Sequence, residues 1–230
     1  MLVISSGKTL GNNNITGNNL TIHSASAYGY GIYPSISGTS NSNIIQSNTL
    51  NIKAPSTSPF TSYGFGVHLY IYPPGTFNSN IIQSNTFNIN ASSYSYGFYS
   101  SNSGTSNSNT IYNNIINAVS TESISALRAY GIGLDNIDSS NITFNTINAT
   151  ASSAYAGDIY LSTGSDNNIF YDNKLLGTNY SVYAPNSGGT NNTFVNVSYS
   201  GSEFVGTSAQ LIRKWYYTAY VNDTNGNALN

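Results

Sequence analysis

Asp138 and Asp166 each stand four residues ahead of an apolar residue, Ile142 and Phe170, that holds the same place in a repeated pattern. Equal register puts both side chains on one face, and stacked strands would bring them about 4.8 Å apart. Two carboxylates so close could hold a calcium ion or share a proton. No Lys, Arg or His falls in that register, so an acid and a base are not assembled together. The other acids, Glu122, Asp135, Asp158, Asp172, Glu203 and Asp223, are scattered, and neither His23 nor His68 has a metal-ligand spacing. A lone surface imidazole is the expectation for each histidine. The reading is a chain without catalytic residues or cofactor, with calcium at Asp138 and Asp166 the one metal alternative to a solvated turn.

Rings are the more concentrated resource. Tyr33, His68, Tyr99, Asp135, Tyr160 and Tyr183 each directly follow the apolar residue that ends a second recurring motif. Alternation points the apolar residue inward and its successor outward, which predicts an exposed column of mostly aromatic side chains. Sugars and protein partners bind such surfaces, because rings bury much area at small entropic cost. The alternative is tyrosine stacking on itself to stabilise a strand face.

These positions acquire meaning from two repeats. The pattern apolar-x-x-Asn-x-apolar occurs as Ile15/Asn18/Leu20, Ile45/Asn48/Leu50, Ile82/Asn85/Phe87, Ile111/Asn114/Ile116, Ile142/Asn145/Ile147 and Phe170/Asn173/Leu175, with a degraded copy around Phe194 that has Val197 at the Asn position. Between copies lie Tyr28-Gly-Tyr-Gly-Ile32, Tyr63-Gly-Phe-Gly-Val67, Tyr94-Ser-Tyr-Gly-Phe98, Tyr130-Gly-Ile-Gly-Leu134, Tyr155-Ala-Gly-Asp-Ile159 and a shortened Tyr180-Ser-Val182. Short alternating segments between Gly, Asn and Ser turns are strand patterning. A strand-only unit of this size cannot bury its apolar face alone and must stack on its neighbours. The recurring Asn suits a bend, where it tolerates left-handed backbone, and stacked amides can bond along the axis.

The Asn-Ile-x-x-Asn-x-aliphatic repeats resemble the pectate-lyase-like superfamily of parallel β-helices, particularly repeats common in archaeal and bacterial cell-surface proteins. The resemblance covers roughly residues 10 to 200. It implies an all-β, right-handed parallel β-helix of about six to seven coils. It implies little about activity, since the scaffold carries lyases, hydrolases, adhesins and structural proteins.

Residues 1–208 are read as the solenoid and 209–230 as a separate piece. Within that piece Trp215, Tyr216, Tyr217, Tyr220 and Val221 form an aromatic, strand-prone run, and Asn225-Gly226 is a hairpin signal. It reads as a cap, as the start of an immunoglobulin-like domain, or as a strand donated to another subunit.

Only 6% of the 230 residues are charged, against about 25% in an ordinary domain. The net charge of −2 and the lack of a basic stripe exclude nucleic acid as partner. No apolar stretch is long enough to span a membrane, and the absence of Cys removes disulfides and thiolate metal sites. Asn14, Asn19, Asn90, Asn141, Asn148, Asn179, Asn191, Asn196 and Asn222 are glycosylation acceptors by pattern. With 36 Asn and 59 Ser and Thr in 230 positions, about nine arise by chance, so they are permitted and not enriched. The expectation is a non-catalytic extracellular or cell-surface protein, an adhesive stalk or filament subunit whose partners are copies of itself, other surface proteins or glycans. A carbohydrate-binding module using the tyrosine column is the alternative, and a polysaccharide lyase or hydrolase stands behind both.

Overall fold

A computed structural model describes residues 2–6, 10–24, 27–55, 61–121, 128–152, 155–185 and 188–216. The chain is a parallel β-helix, right-handed as crossovers between parallel strands are. Each coil passes through a long strand, a three-residue strand and a strand of up to six residues, then returns one rung higher. Tyr63–Ile71, Ile81–Gln83 and Thr86–Ala91 make one such coil. Stacking gives an eight-stranded long sheet, an eight-stranded short sheet and a seven-stranded middle sheet, every pairing parallel, with a register shift between Tyr180 and Val182 in the last long-sheet pair. A three-stranded ladder, Leu10–Gly11, Thr39–Asn41 and Thr76–Asn78, adds a fourth side to the first coils. No helix among the described residues is long and apolar enough to cross a membrane.

The anchors form the core as the repeat predicts. Ile45, Ile82, Ile111, Ile142, Phe170 and Phe194 stack through the short sheet, and Leu50, Phe87, Ile116, Ile147 and Leu175 through the middle sheet. Ile32, Val67, Phe98, Ile132, Ile159 and Val182 close the bore from the long sheet. The long strands break alternation at one glycine column to come close to the middle sheet. A Cβ on Gly97 would meet Ile116 Cγ2 at 2.2 Å, and one on Gly131 would meet Ile147 Cγ2 at 2.0 Å.

Two asparagine ladders turn the corners on either side of the short sheet. At the second corner Asn18, Asn48, Asn85, Asn114, Asn145 and Asn173 are stacked as the repeat predicts. The backbone N–H and the Nδ2 of Asn85 both donate to Oδ1 of Asn114, each at 3.0 Å, while Nδ2 also donates to the Ile45 carbonyl at 2.9 Å. One side chain thus ties three coils. At the first corner Asn13, Asn43, Asn80, Asn109, Asn168 and Asn192 repeat the device, with Ser140 between Asn109 and Asn168. The left-handed backbone is not on these Asn residues, which corrects the expectation. It falls on the residue before each, as at Ser84 (φ 53°), Asn113 (52°) and Phe144 (55°). That leaves the Asn side chain free to point into the buried corner.

The solenoid runs past the expected boundary at 208. Ser202–Val205 pairs with Tyr180–Ala184 in the long sheet, and Leu211–Lys214 is the last rung of the short sheet against Asn192–Val195. Arg213 there occupies the core-anchor register opposite Phe194. It bonds to Glu203 and lies 5.5 Å from the Tyr199 ring centroid, closing the bore with an ion pair. Trp215 and Tyr216 are exposed, whereas Tyr217, Tyr220, Val221, Asn222 and the Asn225-Gly226 turn lie outside the described residues.

Candidate functional site

Parallel sheets are ordinarily covered on both faces, and among the described residues no helix covers the outside of the long sheet. Rings cover it instead. One row contains Tyr28, Tyr63 and Tyr94, whose rings stack at 4.8 and 4.6 Å, and continues with Arg128 opposite Tyr94. A second holds Tyr30, Phe65, Tyr96 and Tyr130. The third is the expected column, Tyr33, His68, Tyr99, Tyr160 and Tyr183, continued by Phe204.

Two expectations about that column fail. Asp135 is not in it: the fifth coil's inward residue is Ile132, so Gly133 sits between Tyr99 and Tyr160. Nor is the column freely exposed, since Tyr33, Tyr99, Tyr160 and Tyr183 are half-buried and His68 is buried. The rows shield one another. In the second row Phe65, Tyr96 and Tyr130 are 4, 6 and 2% exposed, forming a cluster of their own outside the bore. His68, expected as a lone surface imidazole, is one of this stack, 4.3 Å from Phe65 at an interplanar angle of 12°. Its ring nitrogens have no hydrogen-bond partner among the described residues, and burial lowers its pKa to about 4. His23 is exposed at the end of its strand.

The stack opens at the sixth coil. In the sixth coil Gly157 stands opposite Tyr130 where earlier coils carry a ring, leaving a bowl of about 480 Å³ lined by Tyr94, Arg128, Tyr130, Tyr155, Tyr160, Tyr183 and Pro185. Tyr160 and Tyr183 belong to the expected column, while Arg128, Tyr94 and Tyr155 were not singled out in the sequence. The signal was Gly157 in Tyr155-Ala-Gly-Asp-Ile159, a departure from Tyr-Gly-x-Gly.

The carboxylates go elsewhere. Asp138 and Asp166 are neighbours as their register predicts, but they serve a ladder along the axis. Asp138 Oδ1 accepts the Asp166 N–H at 2.7 Å, and Asp166 Oδ1 accepts the Thr190 hydroxyl at 3.0 Å. Burial raises the Asp138 pKa, with the neighbouring Asp166 charge adding to it. Among the described residues no three of His, Cys, Asp and Glu come together as a metal site. Asp158 stands in the glycine column opposite Gly131, where the middle strand stops early at Leu175. Its buried carboxylate accepts the N–H groups of Ala149 and Gly177, both at 2.8 Å, and burial raises its pKa to about 7. Asp172 accepts from Asn196 Nδ2 and the Tyr216 hydroxyl, and Asp135 bonds to Ser162. Glu122 and Asp223 lie outside the described residues.

Of the glycosylation patterns, Asn14, Asn19, Asn90, Asn141, Asn191 and Asn196 are exposed, Asn148 and Asn179 half-buried, and Asn222 outside the described residues. No family model matches the chain, and no curated protein does. Among solved structures the chain is similar to the A-module of the Azotobacter vinelandii mannuronan C-5 epimerase AlgE4. That likeness has 14% identity and a TM-score of 0.31, over 90% of this chain and 75% of that one. At that score it carries no argument about chemistry, and the β-helix stands on its own parallel ladders.

Proposed function

We propose that this chain is a non-catalytic structural element of an extracellular or cell surface, an adhesive stalk or filament subunit. One observation carries the reading: each described carboxylate is engaged by the solenoid itself. Asp138, Asp158, Asp166 and Asp172 accept bonds from their own or neighbouring coils, Asp135 bonds to Ser162, and Glu203 pairs with Arg213. A hydrolase or lyase needs acids and bases turned together toward a substrate. The test joins electron microscopy of the purified full chain with a turnover assay on neutral and acidic glycans. The reading expects rods or filaments and unchanged glycan. Shortened, unsaturated or epimerised product would sink the non-catalytic claim, and isolated monomers at high concentration would sink the filament.

A second reading is favoured by the bowl. Tyrosine hydroxyls and one guanidinium around about 480 Å³ suit a sugar unit, within the ordinary range of ligand pockets. Arg128→Ala and Tyr155→Ala should then weaken glycan binding while leaving the melting temperature within a few degrees of wild type.

A further inference from the structure

A second set of rings lies on the corner after the short sheet, in coils four to eight. Tyr112, Phe144, Tyr171 and Tyr216 form a row with successive centroids 5.7, 5.6 and 5.7 Å apart and ring planes turned 79, 69 and 70° to one another. Tyr112, Phe144 and Tyr216 are 39, 48 and 54% exposed, whereas on the long sheet Phe65, Tyr96 and Tyr130 are buried and rings such as Tyr28, Tyr155 and Phe204 are left in water. We propose that this row is a binding platform for a neutral polysaccharide chain lying along the solenoid axis.

The fold does not need rings here. In coils two and three the register of Tyr112 is held by Gln46 and Gln83, which bond to each other at 2.7 Å, and that of Phe144 by Ser47 and Ser84. Those coils pack their core equally well. Phe144 is moreover a bulky residue held at φ 55°, a conformation that L side chains disfavour, with half its surface left in water. A side chain unfavourable to the backbone and barely buried contributes little to folding.

The row's shape selects the occupant. Four ring positions at coil spacing make a strip about 20 Å long and one side chain wide, far short of the roughly 800 Å² per partner of a stable protein interface. An added peptide strand would need free backbone groups. Here the N–H groups of Ser84, Asn113, Phe144, Asp172 and Asn196 all donate to the next coil's carbonyls. A glycan needs neither area nor edge. Its C–H faces pack on rings and its hydroxyls find amides, and Asn113 and Asn196 stand in the register of Phe144, beside Tyr112 and Tyr171. The one carboxylate beside the rings, Asp172, is engaged by Asn196 and Tyr216, and the exposed Lys214 lies two coils on in the register of Tyr171, so the strip has no net charge and suits a neutral ligand. The proposal gives the adhesive role above a ligand class and rests on that role only for its location.

The test is native electrophoresis of the full chain through gels containing hydroxyethylcellulose, galactomannan, xylan or pectate. The triple variant Tyr112→Gln, Phe144→Ser, Tyr171→Gln copies the residues of coils two and three. Wild type should be retarded by at least one neutral glycan, and the triple variant should lose at least tenfold in affinity while melting like wild type. The single variant Phe144→Ser carries the same test with a smaller loss should the triple variant misfold. A long-sheet variant, Tyr160→Ala, should keep the retardation. Retardation by none of the neutral glycans, by pectate alone, or undiminished in the triple variant overturns the proposal. Loss of retardation in Tyr160→Ala moves binding to the bowl and also overturns it. A dimer in sedimentation that the triple variant abolishes would assign the strip to a second copy instead. Filament formation and glycan turnover are read separately, so failure here leaves the structural role standing.

Discussion

The long sheet and the corner after the short sheet both carry columns of rings, yet only one column is buried. On the long sheet many rings lie nearly parallel, as with Tyr130 and Tyr160 at 4.3 Å and 2°, though Tyr96 and Tyr130 are tilted by 52°, and three rows close over one another. On the corner a single row stands edge to face with no second row of rings beside it among the described residues. The same residue type thus has opposite meanings. Where rows adjoin, each ring's burial is supplied by its neighbours and the rings stabilise the fold. Where a row stands alone, its area stays available to a ligand.

Removing the support common to both regions should cost most. Asn114→Leu leaves the Asn85 N–H and the Ile82 carbonyl without these bonds, and takes one of two bonds from each of Asn85 Nδ2 and Asn145 Oδ1. Each buried unpaired group costs about 1–3 kcal/mol. The variant should lose most of the domain's stability in chemical unfolding, and both ring columns with it.

Two buried titrating groups sharpen the long-sheet side. Asp158 has a folded pKa of about 7 against an ordinary 3.8. The native state then holds the extra proton between those values, and stability falls as pH rises from about 4 to 7. Asp158→Asn should remove that slope, which is worth on the order of a few kcal/mol. His68 runs the other way. Its folded pKa of about 4 lies below the ordinary 6.5, so the unfolded state takes the proton and stability is lost as pH falls through that window. His68→Phe keeps the ring and should gain on wild type, by up to about 3 kcal/mol, from pH 6.5 down to 4. Melting curves of the three proteins across pH 4–8 separate the two slopes. Parallel curves would mean that neither group is buried as described.

The sequence yields the bore and one ladder because Asn18, Asn48, Asn85, Asn114, Asn145 and Asn173 hold a single register against a fixed apolar pattern. The other ladder is harder to see. Ser140 interrupts it, and with 36 Asn in the chain a second column does not stand out from the background. The Asp135 error has a definite origin. Aligning the fifth unit on Tyr130 treats it as the counterpart of Tyr63, whereas Arg128 holds that place and Tyr130 pairs with Tyr96, a shift of two residues. Alternation survives such a shift, so the pattern gave no warning. Exposure was illegible for a different reason. Periodicity says which side of a strand a residue faces, but the burial of Phe65, Tyr96 and His68 comes from rings in other coils and other rows. The early end of the middle strand at Leu175, which brings Gly177 onto Asp158, is likewise a matter of three-dimensional space.

The distinction between supporting rings and presented rings is tested most directly by melting two single variants side by side. Tyr130→Ala empties a buried ring site, at about 3–5 kcal/mol, and should lower the melting temperature by about 10 °C. Phe144→Ser removes an exposed ring from a left-handed position and should leave it within about 2 °C of wild type, or raise it. Equal losses in the two variants would contradict the account, because the corner row would then be holding the fold together as the long-sheet rows do.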